Sequence, residues 1–245
     1  MAELIGIEPD LVALADRYYA GDGNRKGPNY LAEYARLFEG IREQELKILE
    51  LGVFAGASLM IWRDYLPRAT IVGIDINEMP PAIAGDRRIH FLRGSQDDPA
   101  VLDAAVREAG GAFDIIIDDA SHIGWLTKRS LGYLFPRWLK PGGWYVIEDI
   151  GTAYLPEYPD GRAYQPPPWD DAAAETREYE SHRFGLMGLV KQLADHMMQE
   201  LMTGVRPVLD IDRMTLLVNI AFIHKAERPP LGPPPPMPGA APQSG

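Results

Sequence analysis

The 245-residue chain reads as an α/β protein built on one doubly wound, mostly parallel sheet of seven strands. Three observations predict this. Five short apolar runs, at 46–51, 70–76, 89–92, 113–117 and 144–147, each end in small or acidic residues, as strands buried on both faces do. Stretches of helical character separate them, which is the alternation of βαβ units with right-handed crossovers. A chain of this length also buries enough surface to stand as one large domain without cross-links, and it has no cysteine to make any.

Ahead of the first strand, Leu31, Tyr34, Ala35 and Phe38 recur at helical spacing and predict an amphipathic helix that caps the sheet. Helices follow over 58–65 and over 99–109, the second with Pro99 at its start. A third, over 126–139, is stopped by Pro141-Gly142-Gly143. Segment 152–171 contains five prolines together with Tyr154, Tyr158, Tyr164 and Trp169, and a loop this long inside a compact domain usually has a function. A long helix over about 172–202 and a hairpin-like pair of strands, near 211–217 and 219–225, close the domain. From Glu227 onward the chain is rich in proline and poor in side chains that could pack, so a disordered or polyproline tail is expected. The expected organisation is one domain, 1–226, with an N-terminal helical cap over about 1–43 and a tail over 227–245.

Lys and Arg number 24 against 35 Asp and Glu, a formal net charge of −11. A field of that sign repels polyphosphate, so nucleic acid is not an expected partner. Lack of cysteine rules out thiolate metal sites and cysteine nucleophiles. The first residues show no basic segment leading into an apolar one, and no run approaches the roughly 20 apolar residues that span a bilayer. A cytoplasmic protein that does not insert into membranes is the expectation, and a homo-oligomer is compatible with it.

In a doubly wound sheet, ligands bind beyond the carboxyl ends of the strands. The first strand runs out through Glu50-Leu51-Gly52 to Gly56-Ala57-Ser58, where the glycines allow a tight turn and a close approach by a ligand. The second strand ends in Asp75, placed to accept from both hydroxyls of a ribose. The third runs into Ser95-Gln96, polar side chains suited to an adenine edge. A pyrophosphate binder wants G-x-G-x-x-G; here Val53 and Phe54 follow Gly52. A nucleoside without pyrophosphate, such as S-adenosylmethionine, fits better than a nicotinamide dinucleotide. A tight strand-to-helix turn would by itself explain the two glycines, and it is Asp75 and Ser95-Gln96 on later strand ends that favour the nucleoside.

The fourth strand ends in Asp118-Asp119-Ala120-Ser121-His122 and the fifth in Glu148-Asp149. Neighbouring strands would bring these acids to one crevice, where they repel unless a cation holds them. An all-oxygen set indicates a hard ion, Mg²⁺ before Zn²⁺. Asp119, Glu148 and Asp149 are the expected ligands, with Asp118 turned back toward the cofactor. His122 is within reach of a substrate on the same ion and is the expected base for an unactivated hydroxyl. An ordinary loop histidine and solvated strand ends are the plain alternatives. Tyr30, Tyr154, Tyr158 and Trp169 are candidate acceptor contacts, because aromatic rings stack on sugar faces while their polar tips hydrogen-bond; pinning of the loop to the body is the alternative for the loop residues.

Glu50-Leu51-Gly52 with Gly56, Gly73-Ile74-Asp75, Ile117-Asp118-Asp119-Ala120-Ser121-His122 and Tyr145-Val146-Ile147-Glu148-Asp149 resemble the bacterial sugar O-methyltransferases that act on macrolide and other natural-product glycosides. Residues 21–34 resemble the N-terminal G-T-D-K motif of that group, although Asp22 to Lys26 reads D-G-N-R-K. The resemblance spans about residues 20–225. It implies a Rossmann-like class I methyltransferase fold, S-adenosylmethionine, Mg²⁺, His122 as base, and Asp119, Glu148 and Asp149 as ligands. Its acceptor would be a small molecule or an oligosaccharide, either a natural-product glycoside or the mannose or methylmannose units of a polysaccharide. A catechol acceptor, a nicotinamide oxidoreductase, a non-catalytic nucleoside binder and a metal-dependent hydrolase remain the competing readings.

Overall fold

The computed structural model describes residues 8–20, 25–163, 182–229 and 238. Its centre is a seven-stranded sheet in the order β3-β2-β1-β4-β5-β7-β6. Five strands are parallel: β1 (Lys47–Leu51), β2 (Thr70–Asp75), β3 (Ile89–Arg93), β4 (Phe113–Asp118) and β5 (Leu139–Glu148). The hairpin of β6 (Ile211–Leu217) and β7 (Ile220–Lys225) adds two more, with β7 antiparallel to β5. Strand order reverses between β1 and β4, which puts the ligand crevice of such a sheet at the carboxyl ends of those two strands.

Apolar runs on both faces of the strands dictate two cores. On one face α1 (Glu8–Tyr18), α2 (Pro28–Phe38) and α3 (Ala57–Tyr65) pack Leu11, Tyr34, Phe38 and Trp62 against Ile48, Ile71, Ile115 and Phe222. On the other, α4 (Pro99–Ala109), α5 (Gly124–Trp138) and α6 (Gly185–Met197) pack Leu102, Leu134, Phe135 and Leu189 against Leu49, Val72, Ile116 and Ile147. Helix α4 starts as its sequence directs, with the Asp98 side chain accepting from the Ala100 amide and Pro99 in the first turn. None of the described helices is long and apolar enough to cross a membrane.

Two expectations need correction. Pro141-Gly142-Gly143 lies within β5, which begins at Leu139 directly after α5. Pairing with β4 shifts register between Phe113 and Ile115, so the extra residues are absorbed as an irregularity of the strand. The expected helix over 172–202 is divided: α6 ends at Met197 and a short α7 (Gln199–Thr203) follows, while 172–181 lie outside the described residues. Helix α1 lies within the segment expected as a helical cap and packs on α3 and α2. Trp169, Tyr164 and nearly all of the proline-rich tail also lie outside the described residues.

Candidate active site

A cavity of about 910 Å³ opens over the carboxyl ends of β1, β2, β3, β4 and β5. Its floor at one end is the turn after β1. Gly52 adopts φ 89°, and a Cβ there would stand 2.1 Å from the Asp119 carbonyl oxygen. The glycine is therefore required by the approach of the β4 end, whatever ligand lies above. Gly56 has φ 87° as the residue leading into α3, with a Cβ position 3.0 Å from Ile83; it is not on the cavity wall, whereas Gly52 and Ser58 are.

Asp75 closes this turn onto β2. Its Oδ2 accepts from the Val53 and Phe54 amides at 2.8 and 2.9 Å, and its Oδ1 from the Asn77 amide and side chain at 2.9 Å each. These bonds outweigh burial and hold its carboxyl below the usual range. A carboxylate offers about four acceptor positions, and these four bonds take them up. Ser95 and Gln96 line the same end. Gln96 spans two strand ends, accepting from the Ser121 amide at 3.1 Å and donating to Asp118 at 3.0 Å.

Besides Gly56, two further residues expected at the cofactor do not reach the cavity wall. Asp118 is buried and accepts from Gln96, Ser130 and Tyr145 at 3.0, 3.1 and 3.0 Å; it faces the interior beneath α5. Glu50 is fully buried, with Oε2 accepting from the Trp62 indole at 3.1 Å. Both belong to the support of the wall: each still lies within its strand, β1 running on to Leu51 and β4 ending at Asp118 itself.

At the other end stand the acids of β4 and β5. One ligand atom each from Asp119, His122 and Asp149 lies within 4.8 Å of the others, and His122 Nε2 is 3.8 Å from Asp149 Oδ2. Glu148, 2% exposed, is beside them but differently engaged. Its Oε1 accepts from Lys26 Nζ and from the Tyr34 hydroxyl, both at 2.6 Å. Lys26 Nζ also donates to Asp119 Oδ2 at 3.1 Å and lies 3.6 Å from Glu50 Oε1. Burial opposes the Lys26 charge, but the carboxylates of Asp119, Glu148 and Glu50 outweigh it and hold the ammonium well above its ordinary range. Burial pushes Glu148 upward against Lys26, and raises Glu50 to about 7.

Lys26 is the residue that reading the sequence missed. It ends the D-G-N-R-K stretch that departs from the N-terminal motif, and nothing in the linear order says that this ammonium enters a cluster formed 93 and 122 residues later.

The acceptor candidates separate. Tyr30 lines the cavity, with its hydroxyl 2.8 Å from Asp149 Oδ1. Tyr158 lines it too, its ring edge-on to His122 at 6.0 Å. Tyr154 does not; it packs at 5.0 Å against buried His182, whose Nε2 donates to the Ala153 carbonyl. That arrangement pins the loop to the body. Among the described residues, four non-glycines have left-handed backbone: Phe54, His122, Asp149 and Asn219, at φ 47°, 54°, 54° and 69°. All four line this cavity, and strain of this kind concentrates where geometry is imposed by function.

No family model matches the chain. A mycinamicin VI 2''-O-methyltransferase of Micromonospora griseorubida is 37% identical over 164 residues, 62% of this chain and 38% of that protein. An 8-demethyl-8-(2-methoxy-alpha-L-rhamnosyl)-tetracenomycin-C 3'-O-methyltransferase of Streptomyces olivaceus is 38% identical over 181 residues, 71% of this chain and 42% of that protein. The solved MycE methyltransferase from the mycinamycin biosynthetic pathway, in complex with Mg, SAH and mycinamycin VI, superposes with a TM-score of 0.71 at 31% identity. That match covers 89% of this chain and 54% of that one. The fold is thus that of the class I methyltransferases, and the chain's relatives are sugar O-methyltransferases of natural-product pathways. It spans roughly half or less of the length of each of these three proteins.

Proposed function

We propose that this chain transfers a methyl group from S-adenosylmethionine to a hydroxyl oxygen of a sugar, with a divalent cation, Mg²⁺, at the acidic end of the cavity. The observation that carries this reading is the grouping of Asp119, His122 and Asp149 within 4.8 Å at one end of a cavity whose other end is the turn held by Asp75.

The donor set is carboxylate oxygen and imidazole nitrogen without sulfur, which suits a hard cation. Asp119 and Asp149 would hold it, with Oε2 of Glu148 as the third donor, since Oε1 is already occupied by Lys26 and Tyr34. When bound, such an ion lowers the pKa of an acceptor hydroxyl and orients it. S-adenosylmethionine would lie from Asp75 and Ser95-Gln96 toward Asp119, its methyl group facing the acceptor. His122 accepts the hydroxyl proton at Nε2, and Asp149 Oδ2 at 3.8 Å favours the imidazolium that results. Tyr158, edge-on to His122, limits where an acceptor ring can sit. Holding the reactants in line supplies much of the acceleration.

The acceptor is proposed to be the sugar of a natural-product glycoside or a mannose-type oligosaccharide. Two features support a sugar: the relatives named above and the aromatic and hydroxyl groups at the acidic end. Incubation with methyl-labelled S-adenosylmethionine, Mg²⁺ and a panel of glycosides, mannosides and catechols tests the reading. Label is expected in a sugar ether. Label appearing in catechols alone would refute the sugar acceptor, and no transfer to any hydroxyl would refute the activity.

A further inference from the structure

We infer that Asn219, at the tip of the β6–β7 hairpin, is a positioning residue that fixes which oxygen of Asp149 faces the reacting end. The inference rests on the reading of Asp149 as a metal ligand.

Asp149 follows the last residue of β5 and has left-handed backbone, φ 54°, a conformation that a non-glycine residue adopts only when its surroundings over-determine it. Asn219 supplies much of that surrounding. Its side-chain Oδ1 accepts from the Gly151 amide at 2.6 Å, which settles the amide orientation and leaves Nδ2 as the donor. Nδ2 donates to Asp149 Oδ1 at 2.7 Å. The Asn219 carbonyl accepts from the Ile150 amide at 3.1 Å and lies 2.8 Å from the Tyr30 hydroxyl. One side chain and one carbonyl therefore engage three successive residues, Asp149, Ile150 and Gly151.

The consequence is a division of labour within the Asp149 carboxylate. Oδ1 is held by Asn219 and Tyr30, and Oδ2 points toward His122 at 3.8 Å. Glu148 shows the same pattern, Oε1 being held by Lys26 and Tyr34. The hairpin tip is itself anchored, because Asn29 of α2 donates to the Val218 carbonyl at 2.9 Å. The left-handed turn that Asn219 needs, φ 69°, is one that asparagine tolerates better than most residues. Partners that orient a ligand in this way typically change metal affinity about 10–100-fold when removed.

The test uses the full chain saturated with S-adenosylhomocysteine and titrated with Mn²⁺, the free ion being followed by electron paramagnetic resonance. Asn219→Gly keeps the left-handed turn and removes both side-chain bonds. Its Mn²⁺ Kd is expected to rise about tenfold or more, with S-adenosylhomocysteine affinity within twofold of the unaltered protein. Gly151→Ala attacks the same bond from the other side, since its Cβ would stand 2.5 Å from Asn219 Oδ1, and the same selective loss is expected. Tyr30→Phe should give a smaller rise. Equal Mn²⁺ affinity in the variants and the unaltered protein overturns the positioning role. Parallel loss of both ligands also overturns it, because that marks a general structural role. Failure of the unaltered protein to bind Mn²⁺ would overturn the metal reading itself, and the inference with it.

Discussion

At the scale of single residues, His122 is the group whose role can be isolated. It lies on the cavity wall beside Asp149, in a left-handed conformation. If it accepts the proton, His122→Ala should lower methyl transfer by about 10²–10⁴-fold while Mn²⁺ affinity stays within about threefold. If it ligates the ion instead, affinity falls with activity, so the two measurements separate base from ligand. Glu50 allows a test without substrate. Burial raises its pKa to about 7, with Lys26 opposing. A carboxyl raised in the folded state contributes stability that is complete below its unfolded pKa, 4.5, and is lost as pH rises through 7. The metal-free protein should therefore weaken between pH 5 and pH 8 by up to about 3 kcal/mol from this group. Glu50→Gln should show a shallower decline in urea unfolding at those two pH values. An unchanged slope would mean that Lys26 neutralises Glu50 completely.

Elements set where these residues can stand. The β1 turn is tight because Gly52 brings its backbone against the β4 end, and this contact closes the floor between the cofactor and acidic ends of the cavity. Gly52→Ala introduces both a left-handed alanine and a clash with the Asp119 carbonyl, which together should cost roughly 3 kcal/mol. Urea unfolding checks the value, and a cost under about 0.5 kcal/mol would show that the turn can move aside. On the opposite side, α5 contains Pro136 and runs straight into β5. Carbonyls of its last turn and of the first β5 residue are satisfied by Lys225 of β7, whose Nζ donates to Phe135, Pro136 and Leu139 at 2.7, 3.1 and 2.6 Å. The same hairpin thus secures a helix end with one residue and the Asp149 turn with another.

For the whole molecule, the acids gathered at one end of the sheet predict that a divalent ion stabilises the fold as well as the reaction. At one hundred times its Kd, Mg²⁺ would add about 2.7 kcal/mol, or roughly 5–10 °C in Tm for a domain of this size. EDTA should remove that increment along with methyl transfer, and Mg²⁺ should restore both. Identical melting curves in EDTA and Mg²⁺ would count directly against a metal at Asp119 and Asp149. Lys26 raises the Mg²⁺ concentration needed to reach that increment, since a buried ammonium already offsets part of the repulsion among Asp119, Glu148 and Glu50.

The alternation of apolar strands and helices determined the sheet, its five parallel strands and the closing hairpin, because burial on both faces leaves a period that can be read in one dimension. It also placed Asp119, His122 and Asp149 at adjoining strand ends, since neighbouring parallel strands deliver their carboxyl ends to one crevice. Rotation at those ends was not legible. One residue of offset decides whether a side chain enters the cavity, as Asp119 does, or turns beneath it, as Asp118 and Glu50 do. Nor could linear order show that Lys26 and Asn219, 193 positions apart in the chain numbering, hold the two neighbouring acids Glu148 and Asp149. Hydrogen bonds depend on distance and direction in space, and only the packed tertiary structure supplies both.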